Sequence, residues 1–129
     1  LAQVKAQGQR VCAVGTTSLR SLESWAAQLQ TPIAEAPSAA FAHDFEGETS
    51  LFIYPGFQFR MTDVLLTNFH LPKSSLFVLV CALAGTPLMQ RAYAHAIAAS
   101  YRFYSYGDAM LIAPHALSDA GVAARTPAA

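Results

Sequence analysis

Charged residues are scarce in this sequence, and neither sign is in excess. Eight lysines and arginines are balanced by eight aspartates and glutamates among 129 residues, so the formal net charge is zero. Without overall positive charge there is no long-range attraction for nucleic acid, and any such contact must come from local basic positions. Over half of the residues are hydrophobic. This composition excludes intrinsic disorder and predicts one domain with a buried core.

Cysteines and long apolar runs are also few. Cys12 and Cys81 lack metal-ligand spacing and lie in apolar runs, which predicts small buried side chains in a reducing cytoplasm. The apolar run from Leu76 to Ala84 is far shorter than the about 20 residues that span a bilayer. No secretory signal pattern is visible. The sequence therefore predicts a cytoplasmic protein without a membrane partner.

The stretch from Val64 to Ala84 joins two apolar segments through a polar hinge. Val64–Leu66 predicts a buried strand, and the run that begins at Leu76 predicts a buried helix, capped by Ser74 or Ser75. The hinge, residues 68–75, carries an amide, an imidazole, an ammonium group and two hydroxyls, from Asn68, His70, Lys73, Ser74 and Ser75. Core packing does not require this chemistry in a turn, whereas a binding site does.

A second candidate site follows the strand-like run from Arg10 to Val14. It is a small polar turn of Gly15, Thr16, Thr17 and Ser18, after which helical spacing begins. Such a turn collects N–H groups and hydroxyls at the positive end of a helix, which suits an anion or a ribose. GxGxxG and Walker spacings are absent, and an ordinary N-cap at Thr17 or Ser18 explains the turn equally well. Arg20 favours a bound anion because a first-turn cation opposes the helix dipole, unless it pairs with Glu23 or reaches solvent.

The third candidate is the aromatic segment 101–108, in which Arg102 and Asp108 accompany several tyrosines, Tyr104 and Tyr106 among them. Ordinary aromatic packing in a strand is one explanation. The alternative is a wall for a ligand cation or a stacked base. Because the three candidate segments each adjoin an inferred strand, we expect them to gather on one surface.

These patterns predict an α/β fold with one mixed, largely parallel sheet and packed helices. Strands are expected near 10–14, 51–54, 57–61, 64–67 and 108–112, and helices near 18–30, 75–84 and 87–100. Residues 1–112 form the domain and 113–129 a loose tail. Residues 31–50 are expected to be a surface loop, in which His43, Asp44 and Glu46 form a solvated charge cluster rather than a metal site.

The segments VGTTSLRSLES, IYPGFQF with VLLTNFHLPKSSL, and YRFYSYGDAMLI together resemble the C-terminal half of the S-adenosylmethionine:tRNA ribosyltransferase-isomerase family of queuosine biosynthesis. The resemblance covers roughly residues 1–112. It implies transfer and isomerisation of the ribosyl part of S-adenosylmethionine onto the 7-aminomethyl-7-deazaguanine of a tRNA anticodon loop, giving epoxyqueuosine, adenine and methionine. It also implies a C-terminal fragment of a larger two-domain enzyme that lacks its N-terminal half and is inactive alone.

The resemblance further implies S-adenosylmethionine as co-substrate, tRNA as partner and no metal. The resemblance marks these positions without assigning the proton steps. From the residue chemistry we expect catalytic roles for His70, Lys73 and Asp108, with His70 in proton transfer and Lys73 holding a carboxylate or phosphate. The alternative for His70 is a structural hydrogen bond that fixes the turn. Co-substrate binding falls to Gly15, Thr16, Thr17, Ser18, Arg20 and Tyr106, and tRNA binding to Asn68, Ser74, Ser75, Arg102 and Tyr104.

Two other functions stay open. One is an S-adenosylmethionine-dependent methyltransferase, although its glycine-rich first turn is missing because Gly15 stands alone. Its acidic residue at the end of the second strand is missing too, since that strand ends in Tyr54-Pro55. The other is a non-catalytic tRNA-binding or interaction module left by truncation or decay. The intact segments NFHLPKS and YGDAMLI argue against decay, but they leave open a fragment that binds without turnover.

Overall fold

Four helices and three strands lie in the part of the chain that the computed structural model describes, residues 1–31, 33–36, 38–41, 46, 50–71 and 73–113. In chain order they are α1 (Ala2–Ala6), β1 (Cys12–Val14), α2 (Thr16–Ala27), β2 (Val64–Asn68), α3 (Ser75–Ala84), α4 (Thr86–Ala98) and β3 (Ala109–Ile112). Two short 3₁₀ segments, Ile33–Glu35 and Ser38–Phe41, follow α2. None of the helices in these ranges is long and apolar enough to cross a membrane.

The three strands form one mixed sheet in the order β1-β2-β3. β1 runs parallel to β2, with Val14 opposite Leu66. β3 runs antiparallel to β2, and its register sets Leu111 opposite Leu66 and Ala109 opposite Asn68. The mixed α/β architecture predicted from the sequence is confirmed.

Among the residues that the structure describes, helices pack against only one face of the sheet. On that face, strand residues pack against the helices in a core that includes Ala13, Leu65, Ile112, Leu19, Val80 and Met89. The opposite face is open: Val14 is 65 % exposed, Leu66 37 % and Leu111 64 %. Cys81 is buried as predicted. The predicted burial of Cys12 was wrong, because its side chain lies on the open face of the sheet.

The strands predicted at 51–54 and 57–61 are absent from the described structure. Peptide groups in this region bond to side chains instead of to a neighbouring strand. The first carbonyl of the segment accepts from the guanidinium of Arg20, and the N–H groups of residues 60–62 donate to the carboxylate of Glu23. The apolar alternation therefore reflects burial of side chains without a ladder of backbone bonds.

The loop predicted over 31–50 contains the two 3₁₀ segments and contributes Ile33, which is buried, to a second small core cluster. Of the predicted charge cluster, Glu46 is exposed, while His43 and Asp44 lie outside the described residues. Nearly all of the predicted tail also lies outside them.

Candidate functional site

A cavity of about 360 Å³ lies where β1 and β2 end. Its polar lining comes from the turn after β1, with Gly15, Thr16 and Thr17, and from the end of β2, with Thr67, Asn68 and His70; Val14, Leu66 and Ala109 complete it. In open α/β sheets, ligands bind at the carboxyl ends of parallel strands. The cavity therefore occupies the edge of the sheet at which a ligand is expected.

The amino end of α2 opens into this cavity without a side-chain cap. α2 begins at Thr16, with Gly15 as its N-cap, so the alternative explanation of the turn by an N-cap at Thr17 or Ser18 is not formed. Gly15 has a φ of 88°, a left-handed value that glycine adopts without strain, and its N–H donates to the Leu66 carbonyl at 2.8 Å. Because no side chain caps this end, the first-turn N–H groups remain available to an anion or a hydroxyl.

His70 is held at two points on the cavity wall. Its Nε2 lies 3.0 Å from the Thr67 hydroxyl, and its backbone N–H donates to the phenol oxygen of Tyr93 at 3.1 Å. Burial lowers the pKa of the His70 imidazole below its ordinary value, because the charged form is poorly solvated there. Near neutral pH the ring is therefore uncharged, and it can donate through one nitrogen and accept through the other.

The amino end of α3, by contrast, is closed by its own cap. The Ser74 hydroxyl accepts from the Phe77 N–H at 3.2 Å and donates to the Leu71 carbonyl at 2.7 Å, which confirms the predicted N-cap. Lys73 is exposed just before this cap and does not line the main cavity. Ser75 is also exposed at the start of the helix.

Arg20 and Ser75 line a second, smaller cavity of about 60 Å³. The Arg20 guanidinium donates to the Leu51 carbonyl at 3.1 Å, whereas Glu23 accepts backbone N–H groups from residues 60–62. The alternative pairing of Arg20 with Glu23 is therefore not formed. Ser18 lies exposed on the first turn of α2, outside both cavities.

The aromatic segment 101–108 attaches to the hinge through its backbone. The Tyr104 N–H donates to the Phe69 carbonyl at 2.9 Å, and Tyr104 itself has a positive φ of 56°. The Arg102 N–H donates to the Asp108 carboxylate at 2.5 Å and lowers its pKa. The Arg102 guanidinium also lies 3.4 Å from that carboxylate. Tyr104 and Tyr106 project into solvent, with 49 % and 71 % of their surface exposed.

Twelve of the predicted site residues fall into three groups. Gly15, Thr16, Thr17, Asn68 and His70 share the main cavity; Arg20 and Ser75 share the small one; Ser18, Lys73, Arg102, Tyr104 and Tyr106 are exposed. The other two lie apart from these groups: Asp108 is held beside Arg102, and Ser74 caps α3. Sequence reasoning missed Thr67. The sequence signal that could have revealed it is a threonine in a buried strand, three positions before a histidine. Within the described ranges, no three His, Cys, Asp or Glu side chains cluster as metal ligands.

Comparison with known proteins identifies the family. The profile described as "Queuosine biosynthesis protein" matches residues 1–112. An S-adenosylmethionine:tRNA ribosyltransferase-isomerase of Beijerinckia indica is 58 % identical over 112 residues, which cover 87 % of this chain and 28 % of the relative. A relative of the same name from Parvibaculum lavamentivorans is 56 % identical over 110 residues, which cover 85 % of this chain and 29 % of that relative.

A solved structure agrees in fold. The crystal structure of an S-adenosylmethionine tRNA ribosyltransferase from Thermotoga maritima superposes with a TM-score of 0.71 at 44 % identity, over 85 % of this chain and 35 % of that one. The chain therefore spans about a third or less of the length of these relatives. Because the family profile matches the chain from its first residue to the end of β3, the chain belongs to the queuosine biosynthesis protein family.

Proposed function

We propose that this chain supplies the co-substrate pocket of an enzyme that transfers and isomerises the ribosyl group of S-adenosylmethionine onto the 7-aminomethyl-7-deazaguanine of tRNA. The products are epoxyqueuosine in the tRNA, adenine and methionine. The observation that carries the proposal is the one cavity in which the uncapped end of α2 meets Asn68 and His70. The names of the relatives support the type of reaction. No metal takes part in the proposed chemistry.

The open end of α2 is the proposed anchor for S-adenosylmethionine. This molecule carries a carboxylate and ribose hydroxyls, and both groups bind well to first-turn N–H groups at a positive helix end. The hydroxyls of Thr16 and Thr17 can add further hydrogen bonds. α3 is the weaker anchor because Ser74 already satisfies part of its amino end. Arg20 and Ser75, at the smaller cavity, form a secondary contact for an anionic or polar group of the substrates.

His70 and Asn68 are the proposed reactive wall of the pocket. Ribosyl transfer requires removal of a proton near the sulfonium and delivery of a proton to the departing adenine. A neutral imidazole can accept the first proton and, once charged, can donate the second. The Asn68 amide is exposed at the end of β2 and can donate to or accept from a base edge or a ribose. Asp108, fixed by the Arg102 N–H, is the third proposed catalytic group.

The exposed groups around the cavity are proposed contacts for tRNA and co-substrate. Lys73 and Arg102 are cations suited to phosphate oxygens, and Tyr104 offers a face on which a base can stack. Tyr106 is proposed to contact the co-substrate. These assignments rest on chemistry and exposure.

The open sheet face is the proposed docking surface for the remaining polypeptide of the family. Val14 and Leu66 lie opposite each other on the parallel strands β1 and β2, which are normally covered on both faces, and with Leu111 of the antiparallel β3 they form an exposed apolar stripe. The relatives extend well beyond the matched segment, which accounts for only 28 % of the Beijerinckia indica chain. Val14 and Leu66 also line the main cavity, so polypeptide packed on this face would lie against the cavity as well.

A chimera tests the proposal. Residues 1–112 replace the matching segment of the Beijerinckia indica relative, and adenine release from S-adenosylmethionine is measured with precursor tRNA. We expect activity in the chimera and none in the 129-residue chain alone. In the chimera, His70→Ala should lower kcat/KM about 100-fold and Asn68→Ala about tenfold. Arg91→Ala, an exposed change on α4, is the matched control and should leave kcat/KM unchanged.

Other outcomes separate the alternatives. Methyl transfer to tRNA without adenine release would assign the methyltransferase function instead. A chimera that binds tRNA but releases no adenine would indicate a non-catalytic module. Turnover by the isolated chain at the rate of the chimera would overturn the proposed need for the remaining polypeptide.

A further inference from the structure

Thr67, a residue of β2, is buried beside His70 of the hinge. Its surface is 4 % exposed, and its hydroxyl lies 3.0 Å from His70 Nε2. The backbone of His70 is fixed independently, since its N–H donates to Tyr93, which is itself 3 % exposed. His70 is therefore held by two contacts: its backbone N–H bonds to Tyr93, and one ring nitrogen, Nε2, bonds to Thr67.

The direction of the Thr67–His70 hydrogen bond follows from what each group can satisfy. Within the described residues, Nε2 is the one partner shown for the Thr67 hydroxyl. If Nε2–H donated to that oxygen, the hydroxyl hydrogen would stay buried without an acceptor, at a cost of about 1–3 kcal/mol. If the Thr67 hydroxyl instead donates to the lone pair of Nε2, the hydroxyl hydrogen has an acceptor. The second arrangement is favoured, and it requires the proton of neutral His70 to be on Nδ1.

We propose that Thr67 is a positioning residue that holds neutral His70 in its Nδ1–H form, so that the ring presents an N–H donor to the cavity. This proposal rests on the function proposed for the same cavity and specifies the chemistry of its wall. His70 then binds an acceptor atom of the ligand, such as a purine ring nitrogen or a ribose oxygen. The neutral ring can therefore hydrogen-bond to the departing base through Nδ1–H. Its Nε2 lone pair is engaged by the Thr67 hydroxyl, so a proton taken up there must first replace that hydrogen bond.

The tautomer can be measured directly in the 129-residue chain by NMR of ¹⁵N-labelled imidazoles at pH 8, where His70 is neutral. The His70 signals are assigned by their loss in His70→Gln. We expect the Nδ1–H form in the wild-type chain and in Thr67→Ser, which keeps the hydroxyl. Thr67→Val keeps the branched shape and removes the hydroxyl, and the ratio of tautomers should shift about fivefold or more toward Nε2–H.

Two results would overturn the proposal: an Nε2–H tautomer in the wild-type chain, or an unchanged ratio in a folded Thr67→Val variant. The wild-type measurement decides the matter even if the valine variant fails to fold. In the chimera, Thr67→Val should lower kcat/KM about tenfold, with Thr67→Ser near wild type. Because the tautomer is read without substrate, an inactive chimera with the expected tautomer would refute the proposed function and leave this inference standing.

Discussion

A single buried carboxylate organises the segment that leads into β2. Glu23, on α2, is 1 % exposed and accepts N–H groups from Arg60 at 2.9 Å, Met61 at 3.0 Å and Thr62 at 2.8 Å. Hydrogen bonds to a charged group contribute about 1.5–3 kcal/mol each, and a buried N–H without a partner costs about 1–3 kcal/mol. The stability of this segment should therefore depend on Glu23 more than on any apolar residue within it.

The substitution Glu23→Gln isolates one of these bonds. The amide oxygen can still accept from Met61 and Thr62, but the amide NH₂ then meets the Arg60 N–H, donor against donor. We expect the free energy of unfolding to fall by about 2–4 kcal/mol. Glu23→Ala leaves all three N–H groups unpaired and should cost about 4 kcal/mol or more. Domains of this size have a total stability of about 5–15 kcal/mol, so either loss is large.

Urea unfolding at pH 7 measures the effect, with the fluorescence of Trp25 as the probe. Trp25 is the one tryptophan of the chain, and its ring centroid lies 5.1 Å from that of Phe41. Glu35→Gln changes an exposed carboxylate in the same way and should stay within about 0.5 kcal/mol of wild type. If Glu23→Gln also stayed within that margin, the three backbone contacts would not stabilise the fold as argued.

Two further predictions concern pH and the open sheet face. Because burial lowers the pKa of His70 in the folded state, the unfolded chain binds more protons in the window just below pH 6.5. Wild-type stability should therefore fall, relative to His70→Gln, as the pH drops from 8 to 5 in urea titrations; a constant difference would contradict this. Leu111→Asp should barely destabilise the isolated chain, where Leu111 is 64 % exposed, but should cost about 2–5 kcal/mol in the chimera if that face is covered. Ile97→Asp, at a helix position 60 % exposed, should behave alike in both proteins.

Local sequence signals located the regular elements well. The apolar run from Leu76 predicted the residues of α3, and Ser74 was a good N-cap because its signal lies within one turn of the helix it caps. The helices predicted near 18–30 and 87–100 appear as Thr16–Ala27 and Thr86–Ala98. α2 starts earlier because Gly15, at a left-handed φ, directs the chain from strand to helix, which no side-chain pattern reports.

Signals that depend on distant partners could not be found in the same way. Residues 51–61 alternate like strands, but their peptide groups bond to Arg20 and Glu23, more than thirty positions away. A pattern of side chains cannot reveal that a carboxylate on another element replaces a neighbouring strand. Likewise, the exposure of Cys12 follows from which sheet face is covered, and the role of Thr67 depends on how the hinge folds back toward β2.

The basic residues of the chain bear on how strongly this segment itself would bind RNA. Several cations are already used inside the fold: Lys5 pairs with Asp63 at 2.7 Å, Arg60 donates to carbonyls near the end of α2, and Arg20 donates to Leu51. In the part of the chain that the structure describes, Lys73 is a cation of the hinge whose ammonium group is shown with no internal partner. RNA affinity grows with the number of phosphates neutralised, and in a chain without net positive charge the few exposed cations, Lys73 and Arg102 among them, provide only a small part of it. We infer that this segment binds mainly the small co-substrate, and that most of the affinity for tRNA resides in the remaining polypeptide of the family.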